Sequence, residues 1–170
     1  QTILFTDIVG STKMYAERGD GEAFQSVRKH FQKAFAIIKE TQGAVVKTIG
    51  DAIMVTYNSP LAAIKASVKL QEYFSPDNPE TDLLLRISLH TGKCLAVRMN
   101  SNIDYFGNTV NMAAKLQALA EGQQIAMSET IFSVPEVRDF IKERGMVSEA
   151  LALDLSWSKE SMPAYRLDAS

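Results

Sequence analysis

A chain of 170 residues, 46% hydrophobic and 22% charged, fits one domain with a substantial core. Its formal net charge of −2 argues against a general nucleic-acid binder, because phosphate-backbone affinity needs a concentrated basic surface. No apolar run approaches the roughly 20 residues that span a bilayer, and one cysteine, Cys94, allows no internal disulfide and fits a reducing compartment.

The first element is a short apolar run, Thr2-Ile3-Leu4-Phe5, that reads as a buried strand delivering Asp7 at its tip. Gly10-Ser11-Thr12 then offers a helix start with hydroxyls available as caps. From Asp20 the period becomes helical, and Phe24, Val27, Phe31, Phe35 and Ile38 mark the expected buried face of a long helix. Gln42-Gly43 stops it. Residues 44–49 and 52–57 read as two strands joined at Gly50-Asp51, a tight hairpin.

Pro60 opens a helix to about Phe74, a Ser-Pro-Asp-Asn-Pro loop follows, and residues 83–90 and 93–99 read as strands. Helical period returns over 106–120, placing Asp104 in a loop and Phe106 at a helix start. A short strand at 124–127, a helical piece from Ser128 and two edge strands in the tail complete the order. The expectation is an α+β sandwich with helices on one face of a largely antiparallel sheet.

Asp7 and Asp51 are oxygen donors at a strand tip and a hairpin tip, a pattern suited to Mg²⁺ or Mn²⁺. Each also has an ordinary role open to it, Asp7 as a turn cap and Asp51 as a hairpin residue. Lys47, Asp104 and Asn111 have plain surface readings too, and Lys115 shares a helical face with Asn111. His30 and His90 lack zinc-ligand spacing and read as structural. There is no Gly-Lys-Ser/Thr phosphate loop and no dinucleotide glycine fingerprint.

Taken together, Phe5-Thr6-Asp7-Ile8-Val9-Gly10-Ser11-Thr12, Lys47-Thr48-Ile49-Gly50-Asp51 and Asp104-Tyr105-Phe106-Gly107-Asn108-Thr109-Val110-Asn111 resemble the class III nucleotidyl cyclases. Arg86-Ile87-Ser88-Leu89-His90-Thr91-Gly92 resembles that family's strand before the central turn, and the match runs to about Thr130. The resemblance implies a ferredoxin-like core that dimerises head to tail, with active sites formed across the interface. It assigns Asp7, Asp51 and the Ile8 carbonyl to two divalent cations, Mg²⁺ or Mn²⁺. Lys47 and Asp104 match the adenine-recognising pair, where the guanine-specific branch carries glutamate and a small residue. Asn111 matches the ribose-orienting asparagine.

Lys115 stands where the family has an arginine that stabilises the pentavalent phosphate. This departure keeps the charge but loses the planar fork. Lys159 is the nearest counterpart of the triphosphate lysine, although Leu155-Ser156-Trp157-Ser158 does not reproduce the Leu-Lys-Gly pattern.

The resulting expectation is a single cyclase domain over 1–170, cytoplasmic and excised from a longer polypeptide that could carry a regulatory domain or a membrane anchor. It would be a homodimer converting ATP to 3′,5′-cyclic AMP and pyrophosphate, with Asp7 and Asp51 from one subunit and Lys47, Asp104, Asn111 and Lys115 from the other. The alternative is a catalytically weak or inactive nucleotide-binding or dimerisation module that regulates an attached domain.

Overall fold

The computed structural model describes residues 1–170. Strand β1 (Thr2–Ile8) leads through α1 (Ser11–Arg18) and α2 (Asp20–Glu40) to a hairpin of β2 (Ala44–Ile49) and β3 (Ala52–Tyr57). Helix α3 (Pro60–Tyr73) returns the chain to β4 (Leu85–Thr91). Its start follows from chemistry: Pro60 needs no N–H in the first turn, and the Ser59 hydroxyl accepts from Ala62 N–H at 3.1 Å. These four strands lie in the order β2-β3-β1-β4, all antiparallel, which is the split β-α-β arrangement of ferredoxin-like folds.

A ribbon of β5 (Leu95–Met99) and β6 (Asn102–Phe106) precedes α4 (Asn108–Leu116) and a single 3₁₀ turn, Gln117–Leu119. Then come β7 (Gln124–Ser128), α5 (Glu129–Phe132), α6 (Pro135–Glu143), β8 (Ser148–Asp154) and β9 (Ser161–Asp168). The main sheet extends through β7, β9 and β8 to seven strands, and only the β4–β7 pairing is parallel. The architecture is α+β with a mostly antiparallel sheet.

The helices cover both faces of that sheet, not one. Leu4, Ile8, Ile53, Val55, Leu85, Ile87 and Leu89 face a core completed by α2, α3 and α6. The alternate residues Ile3, Phe5 and Met54 pack against Ala113 of α4 on the other side. A strand flanked on both faces is apolar at successive positions, and β1 is buried at every residue from Thr2 to Thr6.

Two local expectations also change. Helix α2 buries Ala23, Val27, His30, Ala34, Ile37 and Ile38, leaving Phe24 56% and Phe35 36% exposed. The seating is rotated by about one residue, so that Ala23 and Ala34 are fully buried in the core instead of the two phenylalanines. Phe106 ends β6 and does not start a helix, because Gly107 at φ 116° breaks the chain direction before Asn108. Asp104 therefore sits mid-strand.

Helix α4 is tied down tightly. The Ser88 hydroxyl donates to Ala113 O at 2.7 Å, and the Thr109 hydroxyl donates to Lys93 O at 2.6 Å. Gly92 makes room for this, since a Cβ there would fall 2.6 Å from Thr109 Oγ1.

Candidate active site

Two carboxylates converge at one end of the sheet from positions 44 residues apart in sequence. Asp7 projects from the end of β1, opposite Arg86 in the β1–β4 register. Asp51 sits in the β2–β3 hairpin, whose turn requires Gly50 at φ 61°. The Asp51 Oδ2 is buried with no hydrogen-bond partner. Burial raises its carboxyl above the ordinary aspartate range; the Ser11 side chain opposes that, and the neighbouring Asp7 adds to it.

Those two observations describe a carboxylate pair in which one oxygen has no donor. A buried carboxylate oxygen without a donor, beside a second carboxylate, is costly unless a cation joins it. Ile8 is only 3% exposed, so its side chain belongs to the core and only its backbone could serve the same site. No cluster of three or more His, Cys, Asp or Glu side chains is present. The donor set is thus two carboxylates plus a backbone oxygen, which suits a hard cation completed by water or substrate phosphate.

Arg86 is the residue that motif reading left without a role. Its Nε and Nη2 both donate to Asp7 Oδ2, at 3.1 and 2.7 Å. The clue was present as the one arginine in a strand whose alternate positions Leu85, Ile87 and Leu89 are apolar. Beside these groups α1 begins at Gly10, φ 70°, without a side-chain cap, so its first backbone N–H groups are available to an anion.

A second cluster forms on the β2 edge. Lys47 Nζ lies 2.8 Å from Asp104 Oδ2, joining β2 to β6 across 57 residues. The Tyr105 N–H donates to Asp104 Oδ1 at 2.8 Å. The Lys47 hydrogen bond holds the Asp104 carboxyl below its ordinary range, and the Tyr105 amide acts in the same direction. No hydrogen bond or ion pair links this cluster to Asp7 or Asp51.

Asn111 is exposed on α4, and Lys115 follows one turn later. Lys115 Nζ lies 4.7 Å from the centroid of the Trp157 ring. Lys159 is exposed in the loop between β8 and β9 and makes no ion pair. The two histidines hold no ligand position: His30 is buried against Phe31 and Phe74, and His90 Nδ1 is 2.7 Å from the Ser128 hydroxyl.

Comparison with known proteins shows the family. The sequence profile of the adenylate and guanylate cyclase catalytic domain matches residues 1–149. The receptor-type adenylate cyclase GRESAG 4.1 of Trypanosoma brucei brucei is 28% identical, over 77% of this chain and 14% of its own length. The receptor-type guanylate cyclase gcy-8 of Caenorhabditis elegans is 31% identical, over 84% of this chain and 14% of its own length. The chain thus spans about one seventh of these relatives.

Among solved structures, an adenylate cyclase from Trypanosoma brucei in its monomeric state superposes with a TM-score of 0.83 at 25% identity, covering 99% of this chain and 89% of that one. The catalytic core of a rhodopsin-guanylyl cyclase with converted specificity, in complex with ATPαS, shares the fold at a TM-score of 0.76 and 21% identity, over 99% of this chain and 95% of that one. The chain belongs to the class III nucleotidyl cyclase catalytic domains.

Proposed function

We propose that this chain is an adenylate cyclase domain that converts ATP to 3′,5′-cyclic AMP and pyrophosphate as a homodimer with composite active sites. The observation that carries the adenine assignment is the Lys47–Asp104 pair, 2.8 Å apart and held in place by the Tyr105 amide. A lysine donates to the unprotonated adenine N1, and an aspartate accepts from the exocyclic amine. Guanine presents the opposite pattern, an N1–H donor and a carbonyl oxygen, and meets both groups wrongly. A site built on such pairs rejects the mismatched base strongly, because its own polar groups are left without partners.

Asp7, Asp51 and the Ile8 carbonyl would hold two divalent cations, which lower the pKa of the ribose 3′-hydroxyl and neutralise triphosphate charge when bound. The remaining work falls to this chain's own side chains. Asn111 orients the ribose so that the 3′-oxygen attacks the α-phosphorus in line, the P–O bond to the β-phosphate breaks, and pyrophosphate leaves. Lys115 opposes the charge that grows on the phosphate. Lys159 and the uncapped start of α1 favour the departing anion.

Two half-sites within one chain, with no hydrogen bond or ion pair between the Lys47–Asp104 pair and Asp7 or Asp51, favour assembly between two copies. Leu95, Met99, Ile103 and Phe106 of the β5–β6 ribbon, with Val45 and Ile49 of β2, are 40–64% exposed. They surround the Lys47–Asp104 pair, and a second copy seated there would remove them from water. A regulatory domain attached to this one, in a longer protein with a cytoplasmic catalytic part, fits the receptor-type relatives. No helix here is long and apolar enough to cross a membrane.

Lys115 in place of arginine is the observation that favours the second reading, a domain that binds nucleotide or dimerises without turnover. Incubation of the purified chain at high concentration with ATP or GTP and Mn²⁺, with cyclic nucleotide read by mass spectrometry, separates the two. Cyclic AMP that vanishes in Asp51→Ala supports the proposal. A dimer with no product favours the regulatory module, and cyclic GMP overturns the adenine assignment.

A further inference from the structure

Lys115 is a cation without an acid. Salt bridges occupy Lys47, Arg86 and Arg166, but none reaches Lys115. Asp154 borders the same cavity of about 370 Å³ as Lys115 and Arg86, yet forms no ion pair with either. The ammonium faces the indole of Trp157, 4.7 Å from the ring centroid.

The indole belongs to none of the hydrophobic clusters of the fold. Trp157 is 52% exposed, and its loop is fastened by other groups. Leu155 packs with Leu116 and Leu153. The Ser158 N–H donates to Leu155 O at 3.2 Å, and the Glu160 N–H donates to Ser158 Oγ at 3.1 Å. A large aromatic half in water, on a loop already held, presents its ring to the lysine that stands where the family has a guanidinium.

We propose that Trp157 is a positioning residue for Lys115, and that its ring supplies the orientation an arginine would have carried in its own planar group. Lysine has a flexible four-carbon stem and a point charge; arginine has a rigid fork that loses less freedom on binding phosphate. A cation seated over an aromatic face recovers part of that preorganisation. The ring offers no competing negative charge, so the ammonium stays available to phosphate, which a carboxylate partner would prevent. This inference rests on Lys115 acting at the phosphate, and its test must separate the two ideas.

The test is a double-mutant cycle with a fluorescence arm. Trp157 is the only tryptophan, so its emission reports the contact directly, and Lys115→Met should change emission intensity in the absence of nucleotide. Trp157→Leu should lower kcat for ATP cyclisation about two- to five-fold, the scale of one exposed cation–π contact, with KM unchanged. Trp157→Phe, which keeps a ring, should restore most of that loss. In a Lys115→Met background, Trp157→Leu should cost nothing further.

Unchanged emission in Lys115→Met overturns the contact. An equal loss from Trp157→Leu with and without Lys115 overturns the positioning role while leaving Lys115 at the phosphate. Full activity in Lys115→Met overturns the phosphate role of Lys115 and this inference with it. Melting temperatures of all four proteins exclude unfolding as the cause, since both side chains lie outside the core.

Discussion

Arg86 donates two hydrogen bonds, of 3.1 and 2.7 Å, to a single carboxylate oxygen of Asp7, while the nearby Asp51 keeps a buried oxygen with no donor. The guanidinium therefore serves Asp7 and leaves the Asp51 oxygen without a donor. Because Arg86 sits opposite Asp7 in the β1–β4 register, this compensation is built into the sheet. It fixes the Asp7 carboxylate in place without any other group.

That arrangement makes Arg86 a stability residue whose importance depends on metal. Arg86→Gln removes two charge-assisted hydrogen bonds and leaves the Asp7 carboxylate without its cation, at a cost of about 1–2 kcal/mol. Saturating Mg²⁺ should recover much of the loss, because a divalent cation supplies the missing charge. Thermal melts with EDTA and with Mg²⁺ check this; an equal loss in both would mean that Arg86 does not act through Asp7.

Base selection should be carried by the Lys47–Asp104 pair and not by general pocket shape. The double variant Lys47→Ala with Asp104→Ala should lower the ATP-over-GTP preference in kcat/KM by at least about 10-fold. Competition assays with both nucleotides measure it. Unchanged selectivity would remove the pair from base recognition.

Restoring the guanidinium at position 115 is the direct test of the departure from the family pattern. Lys115→Arg should raise kcat about 3- to 10-fold, since arginine brings a preorganised bidentate donor and can still stack on Trp157. Steady-state rates with ATP decide the matter. A fall in rate would show a site already adapted to lysine.

His30 should give the fold an acid-sensitive limb. It is 2% exposed, neither ring nitrogen has a hydrogen-bond partner of good geometry, and burial lowers its pKa from 6.5 to about 4. Between those values the unfolded chain binds a proton that the folded chain refuses. Stability is therefore fully present above pH 6.5 and falls as pH drops toward 4, by up to about 3 kcal/mol. Denaturant titrations across this range should show a flatter profile for His30→Leu; an identical profile would place the acid limb elsewhere.

Much of the site was legible because its parts are short and local. Asp7 at the end of an apolar strand, Asp51 in a hairpin and the run from Asp104 to Asn111 each leave a compact mark, and their order identified the family. The strands of the β2–β3 hairpin and helix α3 were equally readable, since Gly50 and Pro60 are backbone constraints written in single residues. What local pattern misplaced was whatever depends on a second surface. Phe24 and Phe35 have helical period, but whether they or Ala23 and Ala34 enter the core is decided by how α2 seats on the elements it packs against.

Residue type and order by themselves therefore determined the chemical inventory of this protein: two carboxylates at a strand end and a hairpin tip, a lysine and an aspartate in separate motifs, an asparagine and a lysine on one helical face. Tertiary structure alone decided which of these meet. Lys47 reaches Asp104 because β6 folds back beside the β2 edge, and Arg86 reaches Asp7 because strand register sets them opposite. Lys115 finds Trp157 because the β8–β9 loop closes over α4. Contacts across such separations are written nowhere in the local pattern, since they depend on strand order, register and helix seating that only the packed chain defines.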